Sequence, residues 1–401
     1  MSGYEWIGSH GSDIFAYLAW IIAAVWLWRI LPALRFLPTV PDLCDPKNTK
    51  TNLDPRPLIA VIVPAKDEAQ SIEKCLRSLI ENDYPNLKIV AVNDRSADDT
   101  GNIMDHLAVE APDRLRVLHI KQLPPDWLGK SHAMAVAAEN VRADWLLFTD
   151  GDVIFAPDVL RRAVIFAAES GADHFVLYPT LELHGWAEHM LIAFFQCVSV
   201  FAGRPWKIPD PSAKRDFIGV GAFNMIRRPV YEAIGGYYAL RMEILEDMCL
   251  GQKVKSAGYV QRVAFGKDLL RIRWADSAWG MMRNLTKNLF AAFRFRIALV
   301  LCACVGMALM ALVPFAALGF SGAARWAGIV TLLSFLLLNL WYWKQTRISP
   351  VYLLLFPIAT LVFLFTLLRS MVLALWRGGV QWRGTFYSLH DLRRHARFTK
   401  E

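Results

Sequence analysis

"LIAVIV" (58–63) is a short β-branched run without a polar residue, stopped by Pro64 and followed by the polar "AKDEAQ" (65–70). Similar short, mainly apolar runs recur in "LKIVAV" (87–92), "LRVLHI" (115–120) and "DWLLFT" (144–149). Between the runs lie helical spacings: Ile72, Cys75, Leu76, Leu79 and Ile80 within residues 69–82, a helix opening near Asp99, and one from about Ser131 to Val141. Strands that are apolar along their whole length, rather than at alternate positions, are buried on both faces. Alternation with amphipathic helices therefore predicts an α/β domain around a mostly parallel sheet, over 58–272. Sheets of this kind bind ligands beyond the carboxyl ends of their strands.

Polar residues collect at those ends. Lys66, Asp67 and Glu68 follow the first run, Asn93 to Asp99 the second, and Asp150 and Asp152 the fourth. Neither G-x-G-x-x-G after the first strand nor G-x-x-x-x-G-K-[ST] occurs, which disfavours a dinucleotide fold and a P-loop. In "WLLFTDGDVIF" (145–155) two carboxylates flank Gly151, which would let the backbone turn tightly. The pair is either a turn with a helix cap or a site for one hard divalent ion, Mg²⁺ or Mn²⁺, shared with phosphate. Asp98 or Asp99 is placed to cap a helix, which leaves Asp94 for a base N–H or a ribose hydroxyl. Lys130, just before a helix, is either a solvated surface lysine or a phosphate contact. Glu246 and Asp247 open another helix in apolar surroundings; they serve its dipole or supply a general base. "FIGVGAFNMIRRPVYEAIGGY" (217–237) adds glycines that permit close backbone approach.

The ends of the chain are of different character. An apolar share of 55% with 15 Trp and 23 Phe exceeds that of a wholly soluble protein. Residues 1–37 hold one span, uncharged from Ile14 to Trp28, with Arg29 expected to snorkel. Glu5 and Asp13 in place of a basic leader favour an uncleaved anchor over a signal peptide. Residues 38–57 read as a linker. Residues 273–296 read as an amphipathic interfacial segment. Three uncharged runs within 297–376 are each about the ~20 residues of a membrane helix. Residues 377–401 form a basic tail. The charge bias, with Arg35, Lys47 and Lys50 after the first span, places the domain in the cytoplasm and the chain in the cytoplasmic membrane. Three C-terminal spans would leave the basic tail, with Arg397 and Lys400, outside, so one apolar segment is expected to be re-entrant or interfacial. The six cysteines show no metal spacing and fit reduced, mostly buried thiols. The net charge of +8 suits anionic lipid; without base-reading motifs it gives no case for nucleic acid.

Taken in order, "VIVPAKDEAQSI", "VAVNDRSADDT", "LGKSHAM", "LLFTDGDVIFAPDVL", "GAFNMIRRPVYEAIGGY" and "LEDMCLGQKVKSAGY" resemble the successive motifs of family 2 glycosyltransferases of the GT-A fold. With one N-terminal and about three C-terminal spans, the chain is most similar to the lipid-modifying branch, which includes hopanoid- and carotenoid-associated glycosyltransferases and ceramide glucosyltransferases. The resemblance implies an inverting hexosyltransferase that moves a single sugar from a nucleotide-sugar, a UDP-sugar or else a GDP-sugar, to a membrane lipid hydroxyl. Asp150 and Asp152 would be its metal-binding D-x-D, with Mn²⁺ or Mg²⁺ holding the diphosphate. Ala65, Asp67, Glu68 and Asp94 would line the nucleoside pocket, and Lys130 would contact the nucleotide or its phosphates. Asp247, of the Glu246–Asp247 pair, would deprotonate the acceptor.

Relatives of the processive and ceramide type carry Q-x-x-R-W. Here "LRIRW" (270–274) keeps Arg273 and Trp274 but has Leu270 in place of the glutamine, which argues against a processive synthase; Trp279 and Arg283 are placed to share its acceptor-side role. "QWRGTFY" (381–387) resembles a W-x-G-x-x-Y tail of some membrane relatives. The rival readings are transfer to polyprenyl phosphate, a glycosidase using two carboxylates, and a non-catalytic nucleotide-sugar-binding membrane protein.

Overall fold

The computed structural model describes residues 3–48 and 56–395. Residues 49–55 of the expected linker, with Lys50, and the end of the tail, with Arg397 and Lys400, lie outside the described residues, as does the side chain of Glu5. In chain order the elements are α1 (Gly3–Phe36), β1 (Ile59–Ala65), α2 (Ile72–Ile80), β2 (Leu87–Asp94), α3 (Thr100–Glu110), β3 (Leu115–Ile120), α4 (Gly129–Glu139), β4 (Trp145–Phe148), β5 (Val153–Phe155), α5 (Val159–Glu169), β6 (His174–Tyr178), β7 (Thr180–Leu181), α6 (Trp186–Ala202), β8 (Asn224–Arg227), α7 (Arg228–Ala233), α8 (Glu246–Ser256), β9 (Gln261–Phe265), β10 (Leu270–Ile272), α9 (Ala278–Ala292), α10 (Ile297–Ala317), α11 (Ala323–Thr346), α12 (Phe356–Arg377), β11 (Gly379–Trp382), β12 (Thr385–Ser388) and α13 (Leu389–His395). They form two compact units: an apolar helical one of residues 1–38, 183–204 and 275–378, and an α/β one of 39–182, 205–274 and 379–401.

In the α/β unit the main sheet runs β3-β2-β1-β4-β8-β6-β9. Strands β1 to β4 are mutually parallel, β8 runs against both its neighbours, and β6 pairs parallel with β9. The expected mostly parallel α/β sheet is therefore present, with one reversed strand inside it. Alternate residues of β1 serve opposite faces. Ile59, Val61 and Val63 pack with Leu76, Leu79, Met104 and Leu107 of α2 and α3; Ala60 and Ile62 pack with Ala133, Met134 and Leu250 of α4 and α8. Every residue of β1 is buried, which is why the run carries no polar side chain.

Pro64 does not stop β1, contrary to the sequence reading; the strand continues to Ala65. Pairing with β4 ends at Ile62↔Phe148, while pairing with β2 continues through Ala65↔Asn93. Ile59 N–H and Ile62 C=O face opposite neighbours, β2 and β4, so position 64 presents its missing donor where β4 has already ended. The first strand thus has β2 and β3 on one side and β4 on the other, and the crevice where the chain order reverses opens at the ends of β1 and β4.

The apolar unit contains segment 183–204, which the sequence reading assigned to the 58–272 domain. Among the described residues five helices are long and apolar enough to cross a membrane: Ser12–Thr39, Trp186–Lys207, Ile297–Ala317, Ala323–Thr346 and Pro350–Arg377. Trp26 donates to the Met310 carbonyl at 2.8 Å and sets its ring edgewise on Phe335. Arg29 Nε donates at 2.8 Å to the Val200 carbonyl, in the last turn of α6, where helix carbonyls lack partners. Helix α9 is capped by Ser277, whose Oγ accepts from Gly280 N–H at 3.1 Å. It packs on α12, where Arg369 donates to Thr286 Oγ1 at 2.6 Å and lies over the Trp279 ring.

The described part of the 377–401 tail is ordered: β11 and β12 form an antiparallel hairpin, followed by α13, within the α/β unit.

Candidate active site

Four loops meet at the switch crevice. Helix α4 begins at Gly129, two residues earlier than expected, which places Lys130 inside its first turn rather than before it. The Lys130 ammonium lies 2.6 Å from Asp150 Oδ1 and 2.6 Å from Glu246 Oε1. One cation therefore ties the D-x-D after β4 to the Glu-Asp pair that opens α8. Burial works against its charge, but Asp150, Glu246 and Asp247 outweigh that and hold its pKa above the usual lysine value. The surface-lysine reading is thereby excluded.

Asp247 follows Glu246 in the first turn of α8. It remains partly open to solvent, yet the surrounding protein, and after it the Glu246 charge, push its pKa up to about 7. Its Oδ1 accepts from Met248 N–H at 2.7 Å. Glu246 is 4% exposed and is engaged by Lys130. A carboxylate poised near neutrality is suited to take a proton from a hydroxyl.

Asp152 is likewise driven up to about 7, by burial and then by Asp150 and Glu68. Its Oδ1 is buried without a hydrogen-bond partner. A solvent-shielded, unsatisfied carboxylate oxygen beside a second carboxylate is costly unless a cation meets both. The donor set is hard oxygen, as Mg²⁺ or Mn²⁺ requires. Among the described residues no group of three or more His, Cys, Asp or Glu is arranged to hold a metal. The pair therefore fits an ion that takes most of its ligands from substrate phosphates and water.

The glycine that matters is not Gly151. A Cβ there would meet Ile72 and Ala65 at 3.4 and 3.5 Å, ordinary contact, so the tight turn expected of it is not what places the aspartates. The demanding positions lie in "IGVGAF" (218–223). A Cβ on Gly221 would sit 2.5 Å from Asp150 Oδ2, and one on Gly219 would overlap the Asp247 carbonyl. Behind this loop is a buried network absent from the sequence reading. Gln261 donates to the Ile218 carbonyl (2.9 Å) and to His174 Nδ1 (2.8 Å), and accepts from Ile218 N–H (3.0 Å). His174 Nε2 meets Asn224 Oδ1, and Asn224 Nδ2 reaches the Asp247 carbonyl at 3.4 Å. Burial lowers the His174 pKa to about 4, so the ring is neutral.

The nucleoside-pocket candidates adjoin the crevice. Ala65 ends β1 and is fully buried. Asp67, at φ +54°, accepts from Ala97 N–H at 2.7 Å and joins the two loops. Asp98, not Asp99, makes the helix-start bonds, accepting from Thr100 N–H at 3.0 Å and from Ala69 N–H at 3.0 Å. Asp94 is 4% exposed and holds Arg95 through both oxygens, at 2.7 and 2.9 Å. Glu68 pairs with Arg383 of the C-terminal hairpin at 2.6 Å. Of the acceptor-side candidates, Arg273 donates to the Glu182 carbonyl at 2.9 Å and Trp274 ends the same segment of the α/β unit. Trp279 and Arg283 belong to α9 in the helical unit. Leu270, at the glutamine position of the motif, is wholly buried in the core against β5.

Comparisons with known proteins bear on the domain rather than on its single residues. Residues 60–235 match the model of glycosyl transferase family 2. The polyprenol monophosphomannose synthase of Mycolicibacterium smegmatis is 28% identical over 210 residues, which is 50% of this chain and 67% of that protein. The 4,4'-diaponeurosporenoate glycosyltransferase of Staphylococcus aureus is 22% identical over 238 residues, 58% of this chain and 60% of that one. The chain spans less than two thirds of the length of several curated relatives it matches, and as little as 16% of one. A solved mannosyltransferase from Pyrobaculum calidifontis, in complex with GDP-Man and Mn²⁺, aligns at 19% identity and a TM-score of 0.47, covering 90% of this chain and 99% of that one. Over residues 60–235 this chain is thus similar to glycosyl transferase family 2, and the relatives it resembles include named glycosyltransferases.

Proposed function

We propose that the protein is an inverting glycosyltransferase that moves one sugar from a nucleotide donor to a lipid-borne hydroxyl at a membrane surface. The observation that carries this reading is the double ion pair of Lys130. It assembles, in one crevice, a carboxylate pair suited to a divalent ion and a carboxylate poised as a base.

Asp150 and Asp152 would hold the ion, which supplies charge neutralisation to the leaving nucleoside diphosphate. Lys130 adds a fixed positive charge in a site where burial strengthens it. Asp247 takes the proton of the acceptor hydroxyl. The acceptor oxygen bonds to the anomeric carbon as the bond to the diphosphate breaks on the opposite face, and the electron pair leaves with the diphosphate. Ala65, Asp67, Glu68 and Asp94 line the nucleoside end.

The apolar helices, and the lipid-linked substrates named for the two bacterial relatives, support a lipid acceptor in the cytoplasmic membrane, with the α/β unit on the cytoplasmic side. The similarity to a polyprenol monophosphomannose synthase keeps a second acceptor in view, a polyprenyl phosphate. The test is incubation of membranes carrying the protein with labelled UDP-glucose, UDP-GlcNAc or GDP-mannose, with Mn²⁺ or EDTA. A labelled lipid should form with one donor and vanish with EDTA; no lipid product from any donor would refute the reading. Mild acid releases sugar from a polyprenyl phosphate product but leaves a glycoside intact. Asp150→Ala should weaken Mn²⁺-dependent donor binding at least ~10-fold, since it removes one of two charged protein ligands.

A further inference from the structure

The "QWRGTFY" run (381–387) has a place in the site that the proposed function does not use. It folds as the hairpin β11–β12, joined by the two-residue turn Arg383–Gly384. Both turn residues have positive φ, +46° and +77°. Two-residue turns of this hand favour Asn, Asp or Gly at the first position, because a larger side chain is strained there. An arginine held in that conformation is placed by the hairpin rather than by local preference.

Two contacts carry the hairpin onto the nucleoside end of the crevice. Tyr387, 8% exposed, accepts at 3.2 Å from the N–H of Gly129, one of the unpaired donors at the start of α4. Gly129 itself lies against Asp94: a Cβ there would overlap Asp94 Oδ2 and come within 2.7 Å of Arg95 Nη2. At the tip, Arg383 Nη2 donates to Glu68 Oε1 at 2.6 Å and Nη1 to the Lys66 carbonyl at 3.4 Å. The hairpin thus touches the loop after β1, and Tyr387 the layer formed by Gly129 and Asp94.

Charge balance says what Arg383 is for. Asp67, Glu68, Asp94, Asp150, Asp152, Glu246 and Asp247 gather here, and a nucleoside diphosphate adds further negative charge. Lys130 is committed between Asp150 and Glu246, and Arg95 grips Asp94 through both oxygens. The Arg383 side chain remains 39% exposed, in an ion pair with a partner 23% exposed. Such a pair is weak and readily exchanged, and a guanidinium matches phosphate oxygens in bidentate geometry.

We propose that the C-terminal hairpin is a wall of the donor site and that Arg383 is a donor-binding residue, exchanging Glu68 for the diphosphate when the nucleotide enters. This rests on the glycosyltransferase reading. The test is calorimetric titration of the detergent-solubilised full chain with UDP, GDP, uridine and guanosine, in wild type, Arg383→Asn and Arg383→Lys. Asparagine suits the turn better than arginine, so Arg383→Asn should melt at the wild-type temperature or above it. It should bind the preferred diphosphate at least ~10-fold more weakly, as loss of a charge-assisted phosphate contact implies, and leave nucleoside binding unchanged. Arg383→Lys should recover part of the loss. Unchanged diphosphate binding in Arg383→Asn, or an equal loss for nucleoside and diphosphate, overturns the assignment. A wild-type chain that binds neither diphosphate would instead remove the glycosyltransferase reading beneath it.

Discussion

Asp247 shows how a single side chain acquires a task from its surroundings. In sequence it is one of two acids at a helix start, where either residue would serve the dipole. The structure separates them: Glu246 is engaged by Lys130, while Asp247 is held near a pKa of about 7 by burial and by the Glu246 charge. A base must be unprotonated to act, and this pKa is raised. Turnover under saturating substrates should therefore rise with pH through about 7 and be lost as pH falls below it. Asp247→Asn should keep donor affinity and lose ~10²–10⁴-fold in kcat, the range typical of general-base removal. An Asp247→Asn enzyme with wild-type turnover would exclude it as the base.

At the scale of elements, the loop entering β8 decides whether the acids meet. Gly219 lets the backbone pass against the Asp247 carbonyl, and Gln261 satisfies both the N–H and C=O of Ile218. Gly219→Ala should cost ~1–3 kcal/mol by overpacking, and Gln261→Leu ~1–3 kcal/mol by leaving buried polar groups unpaired. Thermal unfolding measures both, and an unchanged melting temperature in either variant would show that the loop tolerates the loss. The strands were legible in sequence because each is a short, mainly apolar run bounded by polar residues; β3 runs over the predicted residues, 115–120, with Arg116 and His119 at its exposed positions. The His174–Asn224–Gln261 network was not legible. Its members lie on three strands, and only the pairing of β6 with both β8 and β9 brings them side by side.

For the whole molecule, chain continuity constrains the membrane topology. Segments 183–204 and 275–378 each leave the α/β unit and return to it. A compact unit lies on one side of a membrane, so each excursion makes an even number of complete crossings. If these helices cross a membrane, α6 alone would then make no complete crossing and α10 to α12 at most two. The sequence reading expects one re-entrant or interfacial segment among the C-terminal spans on charge grounds, and accessibility labelling tests it. Cysteines introduced at Glu73 and at His390, in a chain without Cys44 and Cys302, should label alike with a membrane-impermeant maleimide, both only after permeabilisation. Opposite labelling of the two positions would break the parity. The sequence by itself determined the alternation of buried strands and helices, the apolar segments and the order of the acidic motifs, because period and composition are local properties. Only the tertiary structure decided that one lysine joins two distant acid pairs, that glycines 219 and 221 rather than 151 make room for them, and that a hairpin from the far end of the chain adjoins the same crevice. Those facts depend on contacts between residues remote in sequence, which no local pattern encodes.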